Sequence, residues 1–156
     1  MFFRKKEKKM ILYSPLNAEV IPLEQVPDPV FLQKMMGEGV GFLPINGEVV
    51  SPINGMVTQV FPTKHAIGML TDEGLEVLLH LGLETVELKG EGFSIQVKEG
   101  DKVRATDPLG TFDLSFIKER GKETISVLVF PNLKEELPLK FGQVEAGAEI
   151  AQINIK

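Results

Sequence analysis

His65-Ala66-Ile67-Gly68-Met69-Leu70-Thr71-Asp72-Glu73-Gly74-Leu75-Glu76-Val77-Leu78-Leu79-His80 reads as a β-hairpin. Two short apolar runs, 65–70 and 76–81, flank a Thr-Asp-Glu-Gly turn at 71–74, where Gly supplies the positive φ that such turns need. A turn centred between Asp72 and Glu73 sets His65 directly opposite His80. Opposed residues project to the same face with Cβ atoms about 4.5–5.5 Å apart, so the spacing predicts two imidazoles in contact.

The same grammar runs outward in both directions. Asn46-Gly47 and Asn54-Gly55 are hairpin signals, and Gly90-Glu91-Gly92, Glu99-Gly100-Asp101 and Asp107-Pro108-Leu109-Gly110 punctuate the remainder. Between them strands are expected near 48–51, 56–61, 65–70, 76–81, 94–98, 109–113, 124–130 and 149–155. Residues 124–129 begin in strict alternation, and Ile150, Gln152 and Asn154 alternate with Ala151, Ile153 and Ile155. Helix is a minor component. Asp28-Pro29 reads as an N-cap followed by Pro at the first helical position, with Gly37 closing the segment. Short helices are also expected over 113–121 and 132–137. Val97–Val103 is loosely echoed by Val144–Ile150, which suggests two similar β motifs packed together. The fold class is therefore all-β, a sandwich or barrel.

Composition bounds what such a fold does. The chain has 156 residues, 43% hydrophobic, which suits one packed core. It contains no cysteine, which excludes disulfides and thiolate metal sites. No stretch approaches a membrane span, and the basic start lacks the apolar run of a secretory signal, so a cytoplasmic protein is expected. The net charge of −5 divides into +4 on residues 1–10 and −9 on the rest. An acidic body argues against a nucleic-acid surface and fits a partner with a basic face. Residues 1–10, with Phe2, Phe3 and five basic side chains, read as a tail. It is either a weak anchor to an anionic membrane surface or a frayed terminus.

Only two histidines are present. Each alone fits an ordinary half-buried residue. Facing one another among Ile67, Leu78 and Leu81, they suit metal binding or phosphoryl transfer better, because two imidazoles in a partly dry site do not both ionise. A catalytic zinc site usually takes three protein ligands, and no third histidine exists, which leaves zinc bridging the pair to a partner's carboxylate as a secondary reading.

His80-Leu81-Gly82-Leu83-Glu84-Thr85-Val86-Glu87-Leu88-Lys89-Gly90-Glu91-Gly92-Phe93 resembles the active-site signature of the glucose-type enzyme IIA family of the bacterial phosphotransferase system. The similarity extends to Thr63-Lys64-His65-Ala66, Val26-Pro27-Asp28 with Val30-Phe31, and Ser51-Pro52-Ile53-Asn54-Gly55, and covers residues 11–156 as one domain. The resemblance implies a compact antiparallel β-sandwich of the duplicated hybrid motif type, acting as a monomeric phosphocarrier. His80 is the position that accepts a phosphoryl group on Nε2 from phospho-HPr, with its other ring nitrogen held by the Gly82 carbonyl. His65 is the position that donates to the phosphoryl oxygens, and Thr63 the one that orients His65. The group then passes to a cysteine in the IIB domain of a sugar permease. No metal or organic cofactor is implied. Asp28, Val30, Phe31, Phe61, Glu84 and Val86 match or neighbour the partner-binding positions, together with Met35, Met36, Ile67 and Leu78. Glu84 departs from the family's usual Asp, and Leu81 from its common aromatic.

Two other readings share parts of this pattern. A lipoyl- or biotinyl-carrier domain has similar turn-to-strand phrases, but no lysine stands at a suitable hairpin tip. A regulatory binding protein that keeps the fold without transferring phosphate is the closer rival.

Overall fold

A computed structural model of the chain describes residues 8–133 and 135–155. Thirteen strands form among them: β1 Lys8–Tyr13, β2 Ala18–Pro22, β3 Glu38–Pro44, β4 Glu48–Val50, β5 Gly55–Val60, β6 Ala66–Thr71 and β7 Glu76–His80 in the first part. The second part holds β8 Phe93–Ile95, β9 Lys102–Val103, β10 Pro108–Phe112, β11 Ser126–Phe130, β12 Gly142–Val144 and β13 Glu149–Ile155. Helix is confined to α1 (Pro29–Leu32), α2 (Leu114–Glu119) and two 3-10 turns at 23–25 and 85–88. All pairings are antiparallel, in sheets ordered β12-β2-β3-β11-β7-β6-β5-β9, β4-β10-β8 and β1-β13.

The all-β sandwich expected from the turn pattern is the fold observed. Alternation along the strands divides it: Val40, Phe42, Ile67, Met69, Val77, Leu79, Leu128 and Phe130 turn inward from the large sheet onto Leu12, Val49, Leu109, Phe112 and Ile153 of the smaller ones. On the other face a second cluster, Ile21, Leu23, Val26, Phe31, Leu83, Val127 and Val129, lies under the connection from β2 to β3. Gly41 permits this covering, because a Cβ there would stand 2.7 Å from Val26 Cγ2. Two glycines in β3 also hid that strand from the sequence pattern.

Several expectations need correction. Residues 8–10, assigned to the basic tail, begin β1, since Met10 is buried in the core and pairs with Ile153. The expected membrane contact of the tail otherwise falls on residues 1–7, outside the described residues. The helix expected over 132–137 does not form among the described residues. A Pro131-Asn132 turn occupies its start, with Leu133 N–H bonding the Phe130 carbonyl at 3.1 Å.

The internal repeat is real but differently aligned. Ser14-Pro15-Leu16-Asn17 and Ser51-Pro52-Ile53-Asn54 make matching bonds: Ser14 Oγ to the Leu16 carbonyl at 2.7 Å, and Ser51 Oγ to the Ile53 carbonyl at 2.8 Å. Asn17 Oδ1 accepts from the Ala146 amide, as Asn54 Oδ1 does from that of Ala105. Thus 144–151 corresponds in the fold to 103–110, where β9 and β10 mirror β12 and β13; the resemblance to 97–103 reflects only a similar tight turn. One asymmetry sets up the site. The connection between β5 and β6 is five residues, 61–65, whereas that between β2 and β3 runs from 23 to 37 and lies across the sheet.

Candidate active site

His80 ends β7 on the face that alternation turns away from the main core, between Ala66 of β6 and Val127 of β11. The hairpin register therefore differs by one residue from the expected one: Ala66, not His65, stands opposite His80. The turn is three residues long, with Gly74 at φ +96° and Thr71 bonding Leu75 through both its amide and its hydroxyl. That length shifts the pairing. His65 precedes β6, behind Lys64 at φ +59°, so strand alternation does not govern its ring. The two imidazoles still come together, with centroids 6.2 Å apart.

Backbone bonds fix this pairing. The His65 carbonyl accepts from the Leu81 amide at 2.7 Å, tying one histidine to the residue after the other. Both ends of the next peptide are held by buried hydroxyls: Thr85 Oγ1 donates to the Leu81 carbonyl at 2.7 Å, and the Gly82 amide donates to Ser126 Oγ at 3.2 Å. Gly82 has φ +81°, and a Cβ on it would sit 2.5 Å from Thr85 Cγ2. Thr85 was legible within the signature but its function was not, and Ser126 lies 46 positions from His80, with no local signal. The expected bond from His80 Nδ1 to the Gly82 carbonyl is not among the hydrogen bonds formed by the described residues.

Ring environments differ. Thr63 Oγ1 lies 2.6 Å from His65 Nδ1, joining the two residues that the sequence paired. Phe61 meets His65 edge-on at 5.4 Å, and Phe31 meets His80 edge-on at 4.9 Å. His80 Nε2 is buried without a hydrogen-bond partner. Burial, reinforced by the nearby His65 and opposed by Asp28, pushes the His80 pKa down to about 4. Burial also lowers that of His65. Both rings are thus neutral at pH 7, and a neutral imidazole is the nucleophilic form.

This has a consequence for stability. The unfolded chain takes a proton on His80 near the ordinary value of 6.5, whereas the folded chain refuses it down to about 4. The stabilisation is complete above pH 6.5 and is lost as pH falls toward 4, by about 3 kcal/mol in total. NMR titration is expected to place His80 near pH 4 and below His65. Urea denaturation should show stability declining over this window, with less decline in His80→Gln.

Around the rings the remaining candidates divide. Val30, Met35 and Val86 are exposed, Met35 at 69%. Phe61, Met36 and Leu78 are half-buried. Ile67 belongs to the interior and does not join the ring. Phe31, expected as a docking residue, is only 7% exposed. Asp28 caps α1 by accepting from the Val30 amide at 2.9 Å, and also acts on His80 through its charge. Glu84 is largely exposed at φ +58°, 3.9 Å from Lys122, which is bonded to Glu87.

The β-sandwich thus sets two adjoining neutral imidazoles beside exposed apolar side chains. The family profile described as phosphoenolpyruvate-dependent sugar phosphotransferase system, EIIA 1, matches residues 10–136. The chain belongs to that EIIA family. It is 54% identical over 126 residues to the glucose-specific EIIA component of the phosphotransferase system of Staphylococcus aureus strain Mu50, covering 81% of this chain and 76% of that one. Against the glucose-specific EIIA component of Staphylococcus epidermidis it is 47% identical over 148 residues, 94% of this chain and 89% of the relative. Its fold superposes on glucose permease IIA from Mycoplasma capricolum with a TM-score of 0.87 at 36% identity, covering 97% and 99% of the two chains. Among the described residues no helix is long and apolar enough to cross a membrane.

Proposed function

We propose that the chain is a monomeric, cytoplasmic phosphocarrier whose one domain includes β1 from Lys8 onward, and that it serves a sugar permease, glucose being the sugar named for its relatives. His80 Nε2 attacks the phosphorus of phospho-HPr; the Nε2–P bond forms as the P–N bond to the donor histidine breaks. The group next leaves Nε2 for the cysteine sulfur of a IIB domain. The observation that carries this reading is the pairing of a neutral, unpartnered His80 Nε2 with a second imidazole held by Thr63.

The second ring has a definite role in this scheme. If Thr63 donates its hydroxyl proton to His65 Nδ1, the neutral ring carries its own proton on Nε2 and offers an N–H to a phosphoryl oxygen. Phosphoryl transfer asks for such positioning and charge stabilisation rather than acid–base work. No cofactor enters. Incubation with phosphoenolpyruvate, enzyme I and HPr tests the reading: a stoichiometric acid-labile phosphoryl group on the chain supports it, and none rejects it.

Val30, Met35, Phe61 and Val86 supply the apolar part of the docking surface, and Asp28 and Glu84 its charge. Asp28→Asn keeps a competent cap while removing charge. Combined with Glu84→Gln, it should slow uptake from phospho-HPr at low salt and converge on the unmodified rate at high salt, since exposed charges are screened over about 10 Å at 0.1 M. Stopped kinetics at several ionic strengths measure this; a deficit that persists at high salt would assign both residues a structural role.

A further inference from the structure

The nitrogen that must meet a phosphorus atom on another protein is shut off from solvent. His80 Nε2 has no hydrogen-bond partner and no access to water, although His80 itself sits at a surface site. The ring set against it edge-on at 4.9 Å is Phe31, which is itself 7% exposed. Phe31 does not come from the strands that build the site. It is carried by the four-residue α1, in the long connection 23–37 that the second half of the fold lacks.

This connection is fastened toward its two ends. Its first part is anchored by Leu23 and Val26 in the outer apolar cluster. Its last part is tied by Lys34, which bridges Glu24 at 3.1 Å and Glu38 at 3.2 Å. Val30 and Leu32 between these anchors, and Met35 just past the second, face solvent, and Phe31 is the one side chain of α1 that packs inward. A protein seated on Val30 and Met35 presses on the same turn that holds the cover.

Resting on the phosphocarrier reading, we propose that Phe31 is a specificity-determining residue: it covers His80 Nε2 in the free protein and yields only to a donor or acceptor docked on α1. Small phosphodonors, which dock on nothing, are thereby refused, and water is kept from the site between transfers. A reaction that proceeds only from an opened minority is slowed by the size of that minority, commonly 0.1–10% of molecules.

Phosphoramidate is the probe. Its attack by His80 forms the Nε2–P bond, breaks the P–N bond, and releases ammonia, which leaves as ammonium with the ring's proton. Removing the cover in Phe31→Ala should speed labelling of His80 by phosphoramidate about tenfold or more. Phe31→Leu, which retains apolar packing, should fall between that variant and the unmodified chain. Uptake from phospho-HPr should show no such gain, giving a donor-dependent split that a general loosening does not produce. Thermal melts confirm folding, and Phe31→Leu decides the matter should Phe31→Ala not fold. Equal phosphoramidate rates in the folded chains, or a gain shared equally by both donors, overturn the proposal. Failure of unmodified protein to accept from phospho-HPr would instead overturn the phosphocarrier reading, independently of the phosphoramidate ratio.

Discussion

His80→Gln is expected to abolish phosphoryl acceptance altogether. The amide of Gln has no nitrogen lone pair able to form the N–P bond, whereas the neutral imidazole of His80 has one on Nε2, unpartnered in this structure. The loss should not come from unfolding. His80 faces the outer side of β7, while the inward Val77 and Leu79 that hold the strand to the core are untouched. The variant should therefore melt cooperatively and show no incorporation above background from labelled phosphoenolpyruvate, enzyme I and HPr. A folded His80→Gln chain that still takes label at a histidine would transfer the nucleophile's role to His65.

His65→Gln is expected to separate the two halves of the cycle. The nucleophile remains, and Gln keeps an N–H donor, so acceptance continues. Onward transfer demands more, because charge on the phosphoryl oxygens must be stabilised as the group departs. The N–H of Gln does not stand where Thr63 holds that of the ring, and losing one well-placed donor at such a point costs about 10²–10³ in rate, so donation to a IIB cysteine should fall by that order. Thr63→Val removes the 2.6 Å contact to His65 Nδ1 and should give a milder form of the same defect. Chase of the labelled variants with a IIB acceptor measures both. Equal loss of acceptance and donation in His65→Gln would show the ring to be needed for binding rather than for release.

How much of this was legible in the sequence depended on the range of the interaction. Turn chemistry and alternation are local, so β4, β6, β7, β10, β11 and β13 were readable in place. β3 was not, because Gly39 and Gly41 answer to Leu128, Val26 and Ile21, residues on other elements. The short β9 and β12 gain their definition only by pairing with β5 and β2. The nearness of His65 and His80 was legible, but its route was not: a three-residue turn moved the strand register, and the bend at Lys64 brought the ring back. The family resemblance placed Phe31 among the apolar partner-binding positions. Only the long connection across the outer sheet, packed through Val26 onto Val127 and Val129, turns it inward onto His80.

His80, and not His65, is expected to carry the phosphoryl group. Trypsin cleavage after Lys64 and Lys89 releases His65–Lys89, a single peptide bearing both histidines. After phosphorylation through enzyme I and HPr, this peptide, kept alkaline to preserve the N–P bond, can be sequenced by electron-transfer fragmentation. The mass of one phosphoryl group is expected on His80 with His65 unmodified; the same mass on His65 with His80 unmodified would contradict the account.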